Sequence, residues 1–175
     1  FDIACIEEPY NPSFVPRNGD TNLFARLSDL QEHIKTPVCL DESVVTAQDM
    51  EEAMDFDNLK CYALKVAKFG GIQPTLDFYK WAREQGKVTW MGGMFDTGVS
   101  KRMHAAFATL PGMDLPADVS DFTEYFEHDT ALPPLQLQEG ELVLNTVDHP
   151  AGLGCVLDKD YLRSVLVDEV TIAKD

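Results

Sequence analysis

The first hundred residues alternate between short, wholly apolar runs and longer segments that carry a single apolar stripe. The runs at residues 3–6, 37–40, 62–66 and 88–91 are continuous rather than alternating, as in strands covered on both faces. Helical periodicity fills the spaces between them. One helix is predicted over residues 22–34, with Leu23, Leu27, Leu30 and Ile34 on one stripe. A second starts near Thr46, which can cap it while Asp49 supplies the acid of a capping box in place of the usual Glu. A third covers residues 74–85, with Pro74 in its first turn and Gly86 past its end. A fourth spans residues 99–110.

Strand and helix in alternation, with uninterrupted apolar strands, predict an α/β fold built on a parallel sheet. The strand-to-strand spacing is about 25–35 residues, the size of a βαβ unit. No GxGxxG or phosphate-loop motif follows any strand, so a dinucleotide-binding sheet loses its main support. A partial (β/α)7β TIM-like barrel is the expected architecture, since a complete barrel takes about 250 residues and the chain has 175. After Leu110 prolines at 111, 116, 133, 134 and 150 break the rhythm. Residues 114–120 are a possible last strand with its loop, and 142–145, 150–154 and 155–157 read as a strand-like appendage. The expected division is a barrel portion over 1–120 and a C-terminal tail over 121–175. The chain opens at Phe1, directly before an apolar run, which reads as a piece of something longer.

Composition narrows the function. Fourteen basic residues against thirty acidic ones give a net charge of −16. No Lys/Arg cluster exists to bind phosphates, so nucleic acid and anionic membranes are not expected partners. The acidity reads chiefly as a solvated surface, unless a few carboxylates converge on a metal. Cys5, Cys39, Cys61 and Cys155 show no CxxC spacing, and three of them sit in apolar runs and read as buried free thiols; that fits a reducing compartment, so the expected location is cytoplasmic.

In a parallel barrel the chemistry sits at the C-terminal strand ends. The first strand ends in Glu7 and Glu8, the second in Asp41, Glu42 and Ser43, the third in Lys65 and then Lys68, and the fourth in Gly92, Gly93 and Met94. Singly, each has a plain reading: a solvated strand-end acid for Glu7, a helix cap for Asp41, a snorkelling lysine for Lys65 and an ordinary turn for the glycines. A barrel brings all four ends to one mouth. Carboxylates there suit a hard divalent cation. A partly desolvated lysine beside it is expected to have a lowered pKa suited to general acid/base work. That combination matches removal of a proton α to a carboxylate.

Several stretches carry a resemblance to a known family. They are residues 6–9 (Ile-Glu-Glu-Pro), 36–43 (Thr-Pro-Val-Cys-Leu-Asp-Glu-Ser), Leu64 and Lys65 with Gly70 and Gly71, 90–98, 110–111, 115–120 and 150–154. Together the chain resembles the muconate-lactonizing branch of the enolase superfamily, and most closely o-succinylbenzoate synthases related to N-acylamino acid racemases. The resemblance implies Mg²⁺ held by Glu7 and Asp41, with a third carboxylate expected upstream of Phe1. It implies a catalytic role for Lys65 on the sixth strand, so that the chain covers strands four to eight. It also implies that Gly92, Gly93 and Met94 line the pocket of a small-molecule carboxylate substrate. A partial barrel would leave two unpaired strand edges, which makes a homo-oligomer a possible assembly.

The implied reaction is dehydration to o-succinylbenzoate for menaquinone synthesis. Racemisation of N-acylamino acids or muconate-type cycloisomerisation are the alternatives, and an inactive structural fragment is the reading of another class. Some positions depart from the pattern. Asp96 stands where relatives often have Glu, Ser100 and Lys101 replace a Gly–Arg pair, and Ala63, Val66 and Ala67 replace the usual flanks of the lysine. Residues 96–98 carry no Asp-x-Asp, which sets the chain apart from dipeptide epimerases.

Overall fold

A computed structural model describes residues 2–10, 22–144 and 152–172, and in it the four apolar runs become one parallel sheet. β1 (Ile6–Glu7), β2 (Val38–Leu40), β3 (Cys61–Leu64) and β4 (Val88–Met91) lie side by side in that order. Glu7 is level with Cys39, Cys39 with Cys61, and Cys61 with Val88. The helices between and after them are α1 (Leu23–His33), α2 (Ala47–Met54), α3 (Ile72–Glu84) and α4 (Gly98–Ala108). Among the described residues the sheet does not close into a barrel.

The chain falls into two compact units, Phe1–Gly92 with Phe107–Asp118, and Gly93–Ala106 with Val119–Asp175. In the first, alternation along each strand sends successive side chains to opposite faces of the sheet. One face lies under helices. Tyr62 of β3 meets Phe78 and Trp81 of α3 edge-on, at centroid distances of 5.4 and 5.9 Å, an arrangement that adds to the burial of each ring. The other face carries a cluster of Cys39, Cys61, Ala63 and Trp90, packed against Cys5, Val88 and Leu115.

Helix starts follow local chemistry. The Thr46 hydroxyl accepts from the Asp49 amide, and the Asp49 carboxylate accepts from the Thr46 amide, so the predicted capping box is formed. α3 begins at Ile72, two residues earlier than expected. Gly71 caps it at a φ of 133°, which only glycine adopts freely. Pro74 remains in the first turn, where its missing N–H is no loss.

Two expectations fail for clear reasons. Residues 114–120 form no strand. Asp114 and Asp118 each donate one amide bond to β4, at Thr89 O and Met91 O, but Pro116 between them has no N–H to continue a ladder. β3 ends at Leu64 rather than Val66, because Lys65 and Val66 turn over to accept the amides of Phe69 and Gly71.

The second unit contains most of α4 and the C-terminal elements. β5 (Ala131–Leu132) pairs antiparallel with β8 (Val156–Leu157). β6 (Gln136–Gln138) and β7 (Glu141–Val143) form a hairpin turning at Glu139 and Gly140, both at positive φ. A short helix, α5 (Lys159–Ser164), is capped by Asp158. The expected strands at 142–145 and 155–157 correspond to β7 and β8; Asn145, Pro150 and Ala151 lie outside the described residues. Asp129 holds the start of α4, accepting from Gly98 N at 2.9 Å and from Ala131 N at 3.2 Å. The Lys101 ammonium donates to Ser120 Oγ and to Asp121 O. Among the described residues no helix is long and apolar enough to cross a membrane.

Candidate functional site

Because the strands run parallel and in register, their C-terminal ends bring Glu7, Asp41 and Lys65 to one edge of the sheet. Asp41, directly after β2, is the centre of the arrangement, and its side chain is wholly buried. One carboxylate oxygen pairs with the Lys65 ammonium and the other with Lys68 Nζ at 2.6 Å. Lys68 also donates to Asp41 O and Ala63 O, both at 2.9 Å. Asp41 therefore does not cap the following helix; Thr46 does that. Glu42 lies 3.8 Å from the Lys65 ammonium. The side-chain oxygens of Glu7, Asp41 and Glu42 all lie within 4.8 Å of one another.

Glu8 builds the floor beneath this group. Its Oε1 accepts three hydrogen bonds, from Asp41 N at 2.7 Å, Ser43 N at 2.8 Å and Ser43 Oγ at 2.5 Å. These bonds tie the end of β1 to the loop that carries Asp41. They also hold Glu8 at a φ of 38°, a backbone region that costs a non-glycine residue roughly 1 kcal/mol.

The charges shift one another. Partial burial, then the hydrogen bond and negative charge of Asp41, push Glu7 up to about 7. Burial would raise Asp41, but the Lys68 charge and the hydrogen bonds from Glu7 and Lys65 outweigh it and hold the carboxyl below its usual range. Burial works against the Lys65 ammonium as well, yet the bond to Asp41 and its charge win, so Lys65 is raised. The lowered pKa expected for Lys65 is thus not found. Of these two lysines it is Lys68, more deeply desolvated, that is lowered. Crowded carboxylates, one of them pushed toward protonation by burial and by its neighbours, form an all-oxygen donor set that a hard divalent cation would relieve.

Gly92 packs directly on this group. A Cβ there would lie 2.7 Å from Lys65 Cε, so the lysine stem runs across the glycine and any larger residue would displace it. Gly93 and Met94 belong to the second unit, where Gly93 is half-buried and Met94 is exposed. There Met94 N donates to Asp96, whose other oxygen accepts from Ser100 Oγ.

Sequence reading assigned no role to Glu8, Glu42, Ser43 or Lys68. Lys68 stands three residues past Lys65, one turn of chain away, and that spacing was a usable signal. Nothing in the sequence distinguishes Glu8 from Glu7 except alternation: neighbouring residues on a strand face opposite ways.

The chain is similar to several known proteins. An o-succinylbenzoate synthase from Bacillus subtilis is 31% identical over 134 residues, covering 77% of this chain and 35% of that protein. An N-succinylamino acid racemase from Thermus thermophilus is 33% identical, covering 82% and 37%. A solved enolase-superfamily member from Listeria innocua superposes with a TM-score of 0.79 at 28% identity, covering 93% of this chain and 41% of that one. The chain thus spans between about a third and two fifths of the length of these relatives. Residues 1–161 match the family model described as Enolase C-terminal domain-like, and the chain belongs to that family, within the enolase superfamily.

Proposed function

We propose that the whole protein is a Mg²⁺-dependent enzyme that removes a proton α to a carboxylate, acting as an o-succinylbenzoate synthase. The parallel strands of this chain are read as part of its (β/α)7β barrel. The observation that carries the reading is the convergence of Glu7, Asp41 and Lys65 at the ends of three adjacent parallel strands. Glu7 and Asp41 would hold the cation, which when bound supplies a Lewis acid for the substrate carboxylate. The third carboxylate is expected from upstream of Phe1, with Glu42 the nearest one in this chain.

Lys65 stands beside them with its stem fixed over Gly92. As an ammonium it places positive charge where an enediolate develops; as an amine it accepts the α-proton. Lys68 and Glu8 hold Asp41 at one position through three hydrogen bonds, and two more from Ser43 to Glu8 fix the same loop, so the carboxylate does not have to be ordered when ligands arrive. Gly92, Gly93 and Met94 are read as the pocket wall.

The synthase reading is favoured over racemisation and cycloisomerisation because synthases recur among the relatives, at 31%, 29% and 28% identity. The test is dehydration of succinyl-hydroxycyclohexadiene carboxylate by the full-length protein, with and without Mg²⁺, beside a Lys65→Ala variant. Dehydration that needs the metal and falls about 10²–10⁴-fold in the variant is expected. Dehydration that is indifferent to both would overturn the assignment.

A further inference from the structure

The proposed chemistry leaves three thiols unused on the face of the sheet opposite Tyr62 and α3. Cys5 lies just ahead of β1, Cys39 in the middle of β2 and Cys61 at the start of β3, and their sulfurs all lie within 4.8 Å of one another. Cys39 and Cys61 are buried, Cys5 is half-buried, and all three are free. We propose that Cys5, Cys39 and Cys61 form a binding site for one thiophilic divalent d10 cation, of the Zn²⁺ and Cd²⁺ class, held by three thiolates.

The geometry suits an ion better than a disulfide. Three sulfurs around one ion at about 2.3 Å stand roughly 4 Å apart, so the trio needs to contract by less than about 1 Å. Cys39 and Cys61 face each other across adjacent parallel strands. The strand spacing of about 4.8 Å holds their Cβ atoms wider than the 3.5–4.5 Å a disulfide needs. A donor is already aimed at the sulfur: Trp90 Nε1 donates to Cys39 Sγ at 3.2 Å, as outer-shell groups do around metal thiolates. Ala63, Val88 and Leu115 make up the rest of the cluster and contribute no competing carboxylate.

Binding would release three thiol protons to solvent as three sulfur–metal bonds form, leaving a complex of charge −1 for a divalent ion. A monovalent ion would leave −2 in the same apolar layer, which desolvation disfavours. Thiolates select soft ions over Mg²⁺. Glu7 and Asp41 follow Cys5 and Cys39 by two residues on the same strand faces, so a hard site and a soft site would stand on adjacent levels of one sheet.

The test titrates the reduced full-length protein with Cd²⁺ in excess Mg²⁺, following the ultraviolet thiolate-to-cadmium band. About one Cd²⁺ per chain is expected. Cys39→Ser, Cys61→Ala and Cys5→Ser should each weaken binding about tenfold or more, while Cys155→Ser leaves it unchanged. Melting curves confirm that each variant is folded, and half-buried Cys5 serves if the two core variants are not. Absence of the band at millimolar Cd²⁺, its loss in Cys155→Ser, or its persistence in folded Cys5→Ser would overturn the site. The readout is absorbance, so either result leaves the carboxylate and lysine reading to its own assay.

Discussion

At the scale of single residues, Asp41 is the position on which the site depends. A carboxylate with no exposed side-chain surface is tolerable only because two ammoniums and a neighbouring hydrogen bond compensate it. Removing one partner leaves buried charge uncompensated, which costs about 3–5 kcal/mol. Lys68→Met should therefore lower the unfolding free energy obtained from urea denaturation by an amount in that range, and Lys68→Arg by much less, since a cation remains. An unchanged unfolding free energy in Lys68→Met would show that Asp41 is solvated and not held as described. Glu7, Asp41 and Lys65 were legible in the sequence because each ends an apolar run abruptly. The supporting roles of Glu8 and Lys68 were not. They depend on which oxygen meets which amide across chain separations of 33 and 27 residues, and no local pattern encodes that.

At the scale of elements, the apolar runs and stripes located all four parallel strands and the four helices associated with them, with ends shifted by no more than three residues. The Thr46 box was readable outright because its chemistry is local. β5 to β8 and α5 were harder, since two- and three-residue strands show no period, and their pairing is set by distant partners such as Leu132 with Val156. One such element offers a pH test. Asp121 caps a 3-10 turn over Phe122–Glu124. Its carboxyl is held below the usual range first by the Thr123 hydroxyl, with the Leu137 and Thr123 amides adding to the effect. A depressed folded pKa contributes stability that is present above the unfolded value of about 3.9 and is lost as pH falls through the folded value. Asp121→Asn should thus be less stable than wild type at neutral pH, with the difference shrinking as pH drops below about 4. Urea midpoints across that range measure it, and a difference that grows on acidification would contradict the cap.

At the scale of the whole molecule, the parallel order and the meeting of Glu7, Asp41 and Lys65 at the strand ends followed from sequence, whereas barrel closure is not seen among the described residues. The chain spans only 35% of its Bacillus subtilis relative, so a pocket and a cation site built from the whole fold would be incomplete in these 175 residues. The 175-residue chain alone is expected to show less than about a thousandth of the full-length turnover, as loss of positioning and electrostatic groups together implies. Comparable turnover from the two would mean that the site described here is sufficient by itself.

The most direct test of the central claim does not depend on which product forms. Proton NMR of the full-length protein with α-proton-bearing carboxylate substrates in deuterated buffer reports loss of the α-proton signal, whether by elimination or by exchange. The account predicts Mg²⁺-dependent loss that Lys65→Ala slows by about 10²-fold or more. Loss at the wild-type rate in Lys65→Ala, or loss that ignores Mg²⁺, would contradict a metal-and-lysine site at these strand ends.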